Sequence, residues 1–78
     1  MAQVIIYSTP TCPSCIMAKH FLKSNNIKFI DKDISLDKEA LDEMMKKSDQ
    51  AGIPVIDIDG KIVVGFDRNR LKKALGLD

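Results

Sequence analysis

Apolar side chains in this 78-residue chain come in short bursts, and the spacing inside each burst changes along the sequence. Val4-Ile5-Ile6-Tyr7 is continuous, without alternation. Gln3 to Tyr7 therefore reads as a strand covered on both faces, the pattern of a central parallel strand. Ser8 to Thr11 reads as loop. From Pro13 to about Asn25 the positions Ala18, Phe21 and Leu22 recur at helical spacing, with Met17 beside them and Lys19 and Lys23 off the stripe. Pro13 suits the first helical position, where its missing N–H costs nothing.

Ile27 to about Ile34 reads as a second, more polar strand. Ser35 or Asp37 caps a helix from about Lys38 to Lys47, with Ala40, Leu41, Met44 and Met45 as its apolar stripe. Lys46 and Lys47 suit the negative end of that helix. Ser48 to Gly52 reads as loop, and Pro54 opens a third strand, Val55 to Ile58. Asp59-Gly60 is a two-residue hairpin signal returning into Lys61 to Val64. Asp67 is a good N-cap for a last helix through Leu75. Gly76 marks its left-handed stop, with Leu77 placed to fold back on Leu71. The order βαβαββα predicts an α/β fold. Its first strand–helix–strand unit crosses over right-handed, and the hairpin adds antiparallel strands. The product is a four-stranded mixed sheet with helices on both faces, which resembles the thioredoxin-like architecture.

Length and charge narrow the function. A chain this short buries about 60–65% of its unfolded surface, so one domain spanning residues 1–78 is expected. An apolar content of 45% is too high for disorder. Net charge is +1 with both signs interleaved, which leaves no basic footprint for nucleic acid and no polybasic arm for a membrane. The longest fully apolar run is far short of the roughly 20 residues of a membrane span. Met1-Ala2-Gln3 runs straight into the first strand, so no cleavable signal peptide is expected. The expected compartment is the reducing cytoplasm, where cysteines are catalytic or metal-binding more often than structural.

Cys12-Pro13-Ser14-Cys15 then becomes the centre of the chemistry, for it holds both cysteines of the chain at a strand–helix junction. Cys12 falls at the helix start, where unpaired N–H groups and the positive dipole end favour a thiolate. Cys15 lies one turn on and shares a face with Ala18 and Leu22, so it is expected to be the more buried thiol. That assigns Cys12 as the exposed attacker and Cys15 as the resolver of a dithiol exchange. A structural disulfide is the weaker reading, because so short a loop removes little unfolded-state entropy. A zinc site needs four ligands, and one C-x-x-C pair with the single His20 does not supply them. His20 reads as a solvated helix residue. A cluster shared across a dimer through Cys12, and a pure interaction module with inert thiols, remain rival readings.

Two further segments carry candidate contacts. Ile53-Pro54 is either an ordinary proline opening a strand or a cis peptide facing the thiols. In Gly65-Phe66-Asp67 the aspartate caps the last helix, whose first N–H groups also offer themselves to a carboxylate. Phe66 is either core or contact surface.

Together these segments resemble the glutaredoxins. The likeness runs over Val4-Ile5-Ile6-Tyr7-Ser8, Cys12-Pro13-Ser14-Cys15, Gly52-Ile53-Pro54-Val55-Ile56 and Gly65-Phe66-Asp67. It implies that Cys12 is the nucleophile, Cys15 the resolver and Pro54 cis. It also implies that the Ile53 backbone pairs with the cysteinyl part of glutathione and that Asp67 contacts its glutamyl end. Three positions depart from the family pattern: Ser14 where an aromatic is usual, Thr9 where a lysine or arginine is frequent, and Arg68 where a second acid stands. The chain also resembles the short glutaredoxin-like proteins that take electrons from thioredoxin reductase and reduce ribonucleotide reductase. Thr11 stands where thioredoxins usually carry a tryptophan.

The expected substrate-binding set is Thr11, Pro13, Ile53, Pro54, Phe66 and Asp67, beside the catalytic Cys12 and Cys15. The expected function is a monomeric thiol–disulfide oxidoreductase acting on protein or glutathione mixed disulfides. It needs no metal or bound organic cofactor, with glutathione as co-substrate or thioredoxin reductase as electron donor. An iron–sulfur carrier using Cys12 across a dimer is the alternative from another class.

Overall fold

The computed structural model describes residues 3–77; Met1 and Ala2, which the sequence runs straight into the first strand, and Asp78 lie outside the described residues. Seven elements follow in the order β1 (Val4–Ser8), α1 (Pro13–Ser24), β2 (Ile30–Asp33), α2 (Lys38–Ser48), β3 (Val55–Ile58), β4 (Lys61–Val64) and α3 (Arg68–Leu75). They build one mixed sheet in the order β2-β1-β3-β4. β1 runs parallel to β2 and antiparallel to β3, with Tyr7 opposite both Lys32 and Val55. The hairpin adds β4 through Asp59 and Gly60, both at positive φ (50° and 91°), as a tight two-residue turn requires.

Each face of the sheet has its own core. Val4, Ile6, Ile56, Ile58 and Val63 meet Ala18, Phe21 and Leu22 of α1 and Leu71 of α3. On the opposite face Tyr7 and Val55 meet Ala40 and Met44 of α2. Covering on both sides explains the unbroken apolar run of β1. The periodicity marks the right faces but overestimates their width. Met17 and Met45 are 55% and 44% exposed, and Leu41 is half-buried.

Two expectations are corrected at element ends, and one open alternative is settled. β2 begins at Ile30, not Ile27, because Ile27 is still tied to the end of α1. Asn26 takes φ 58°, its N–H bonds to the Lys23 carbonyl at 3.0 Å, and Ile27 N–H bonds to the Leu22 carbonyl at 2.9 Å. This is a Schellman closure with asparagine in the place that glycine usually fills. Of the two possible caps of α2, Asp37 is used: its Oδ1 accepts from Ala40 N–H at 3.2 Å. Gly76 closes α3 at φ 72°, with Leu77 N–H on the Lys72 carbonyl at 2.9 Å, yet Leu77 stays 42% exposed. Among the described residues no helix is long and apolar enough to cross a membrane.

Candidate functional site

The sheet brings the three chemistry-bearing segments to one end. β1 ends at Ser8 and leads through residues 9–11 to Cys12. β3 starts beside it, with Val55 paired to Tyr7 on one side and Val64 on the other, so Pro54 and Gly65 flank the same end. Gly65 N–H donates to the Pro54 carbonyl at 2.7 Å and ties the last two segments together. The Ile53–Pro54 peptide is cis, Pro54 is buried and Ile53 half-buried. Gly65 sits at φ 80°, in the left-handed region where a side chain is strained, and so turns the chain into α3.

Cys12 is the N-cap of α1, with extended backbone (φ −88°, ψ 116°) and Pro13 next to it in the first turn. Its Sγ accepts a hydrogen bond from Cys15 N–H at 3.4 Å. No acidic residue lies in the first turn to oppose a thiolate. Cys12 is partly accessible and Cys15 fully buried, and neither is in a disulfide. The two thiols are driven apart. The Cys15 thiol hydrogen bond lowers Cys12 below an ordinary thiol; desolvation opposes this, while N–H groups of Cys15 and Ser14 and the charge of Lys19 assist. Burial pushes Cys15 up to about 11, and the hydrogen bond and negative charge of Cys12 add to it.

The remaining expected contact residues lie on the segments that flank this end of the sheet. Thr11 and Pro13 are exposed beside Cys12. Phe66 is both core and surface: it is half-buried, with its ring edge-on to Phe21 at a centroid separation of 6.1 Å. Asp67 is exposed and caps α3, its Oδ1 accepting from Arg70 N–H at 3.2 Å. His20 is a surface residue of α1. Among the described residues no group of three or more His, Cys, Asp or Glu side chains is placed to hold a metal ion.

Two features escaped the sequence reading. Lys19, one turn beyond Cys15, lowers both thiols and is fixed by Asp31 at 2.7 Å. The i,i+4 spacing from Cys15 was the available signal. Behind the site, the fully buried Tyr7 hydroxyl meets Glu43, and Lys47 Nζ reaches Tyr7 Oη at 2.8 Å and the buried Asp57 Oδ2 at 2.7 Å. A charge inside the apolar run Val55-Ile56-Asp57-Ile58 was its only trace.

A βαβαββα sheet with an accessible thiol at a helix N-cap, a buried thiol one turn on and a cis proline at the same end of the sheet defines a redox protein of the thioredoxin fold. The glutaredoxin family profile matches residues 4–63. A glutaredoxin-like 8.6 kDa protein of the rubredoxin operon of Clostridium pasteurianum is 49% identical over 70 residues, covering 90% of this chain and 93% of the relative. Glutaredoxin 3 of Escherichia coli K12 is 37% identical over 67 residues, 86% of this chain and 81% of the relative. The crystal structure of a glutaredoxin from Archaeoglobus fulgidus superposes with a TM-score of 0.88 at 28% identity, covering 96% of this chain and 87% of that one. This chain belongs to the glutaredoxin family.

Proposed function

We propose that this protein is a thiol–disulfide oxidoreductase that reduces protein disulfides or glutathione mixed disulfides with Cys12 and Cys15. The observation that carries the reading is the contrast between the two sulfurs. Cys12 is accessible at the N-cap and held below an ordinary thiol, while Cys15 is buried beneath it and pushed up to about 11.

The Cys12 thiolate attacks one sulfur of the substrate disulfide. A mixed disulfide forms, and the departing substrate thiolate takes a proton from solvent. Cys12 is then uncharged, so two of the causes that hold Cys15 up are removed. Cys15 loses its proton and attacks the Cys12 sulfur, which breaks the mixed disulfide and releases the second substrate thiol. Two electrons have passed to the substrate, and the protein is left with a Cys12–Cys15 disulfide. Two glutathione molecules, or thioredoxin reductase, return it to the dithiol. Thr11, Pro13, Ile53, Pro54, Phe66 and Asp67 form the binding set around this exchange, in the reducing cytoplasm. No bound metal or organic cofactor takes part.

The test uses the oxidised protein with NADPH and either glutathione plus its reductase or thioredoxin reductase. Turnover with at least one is expected. Cys12→Ser should abolish it, and Cys15→Ser should stop reduction of protein disulfides and trap a mixed disulfide on Cys12. Full activity of Cys12→Ser overturns the roles.

A further inference from the structure

A groove of about 760 Å³ runs between α1 and α3, starting at Ile16 and lined by neither cysteine and by neither Ile53 nor Pro54. Phe21 and Phe66 form its floor, edge to face. Ile16 and Met17, the two residues that follow Cys15, form its wall and are 54% and 55% exposed. Together they expose an apolar step at the start of α1. Arg68 and Lys72 line it from α3, one helical turn apart, with the Arg68 guanidinium carbon 6.0 Å from the Phe21 ring centroid, and His20 lines it from α1. Among the described residues no aspartate or glutamate lines it. From Ile16 to Asn25 at its far end the helix rises about 13 Å, the span of about four extended residues.

We propose that this groove binds the segment flanking the disulfide of a protein substrate, a stretch with an apolar anchor and acidic side chains. The inference rests on the thiol exchange above and adds to it a selection among protein disulfides. The apolar floor takes one anchor, where water is displaced from Met17 and Phe66. The charges of Arg68 and Lys72, which form no ion pair among the described residues, select acidic neighbours and repel basic ones, mainly through the rate of encounter. Because the groove begins at the residue after Cys15, a segment lying in it leaves its own cysteine beside the reacting pair.

The experiment oxidises the reduced full-length protein with three disulfides. Two are ten-residue peptides with the same internal disulfide and one leucine, one flanked by glutamates and the other by lysines. The third is bis(2-hydroxyethyl) disulfide, too small to reach the groove. The acidic peptide should react at least about fivefold faster than the basic one at low salt, with the difference shrinking in 0.5 M salt. Arg68→Glu with Lys72→Glu should reverse the preference and leave the small disulfide within about twofold. Met17→Ser should slow both peptides equally. Equal rates for the two peptides, or an unchanged preference in the charge-reversed variant, overturn the groove as a selector while exchange with the small disulfide stands. No reaction with any of the three overturns the thiol exchange itself, and the selector with it.

Discussion

Lys19 Nζ lies 2.7 Å from Asp31 Oδ2, and Asp31 Oδ1 in turn accepts from the buried Ser8 hydroxyl at 2.9 Å. The chain of contacts links the last residue of β1 to the second turn of α1, and it fixes a cation close to both thiols. Asp31 does not cancel that cation at the sulfurs: Lys19 still lowers both Cys12 and Cys15. Lys19→Met should therefore move the pH profile of Cys12 alkylation upward and slow alkylation at pH 7 by roughly two- to fivefold, the range of one partly exposed charge. Iodoacetamide kinetics between pH 4 and 9 check this. An unchanged profile removes Lys19 from the account.

Cys12 also ties redox state to stability. Its thiol is lower in the fold than the value of about 8.5 expected in the unfolded chain. A depressed acid stabilises the fold above the unfolded value and loses that contribution as pH falls through the folded one. Reduced wild type should thus exceed reduced Cys12→Ser in stability by more at pH 9 than at pH 5. Urea denaturation under reductant gives the comparison. Cys15→Ala should narrow the gap, since it deletes the largest cause of the depression. A gap independent of pH contradicts a thiolate held at the helix start.

The placement of the thiols was legible because it needs only local information: a strand burst, a loop, a proline and one helical turn. Asp67 and Gly76 declared themselves for the same reason, as caps with fixed chemistry. The reach of the Asn26 closure did not, because it ties Ile27 back to α1 while Ile27 and Phe29 look like strand residues. Both do pack on the core, Ile27 from the helix closure and Phe29 from the segment that leads into β2. The α1–α3 groove was not legible at all. Its two rims lie about fifty residues apart in sequence, and only the sheet brings them together.

Asp57 shows the same limit in a buried charge. Its carboxylate sits in β3 at 12% side-chain exposure and is neutralised by Lys47, ten residues earlier on α2. It also accepts from Gly60 N–H at 2.7 Å in the hairpin. Lys47→Met leaves this carboxylate and the Tyr7 hydroxyl without their cation. Lys47 is itself partly exposed, so the loss should be about 1–3 kcal/mol, below that of a fully buried pair. Lys47→Met with Asp57→Leu should recover much of it, because two apolar groups replace the pair.

The alkaline limit of stability follows from the same cluster. Burial and the Glu43 bond push the Tyr7 phenol up against the opposing Lys47. Desolvation lowers the Lys47 ammonium, but its bonds to Asp57 and Tyr7 outweigh this and hold it above an ordinary lysine. Both groups are raised, so their contribution is whole below about pH 10 and is lost as pH rises beyond. Thermal melts from pH 8 to 11 should show wild type falling more steeply than Lys47→Met. Parallel curves exclude the cluster as the cause.

Asp67 performs one role visibly and is proposed for a second, and two substitutions separate them. The cap requires a side-chain oxygen for Arg70 N–H, which asparagine supplies as well as aspartate does. Contact with the glutamyl amine of glutathione requires the charge, which asparagine lacks. Asp67→Ala should cost about 1 kcal/mol of stability through the cap. Asp67→Asn should leave stability within a few tenths of a kcal/mol and raise KM for glutathione several-fold, with kcat for a small disulfide unchanged. If KM also stays put, Asp67 is a cap alone, and the negative charge beside Arg68 has no part in holding the co-substrate.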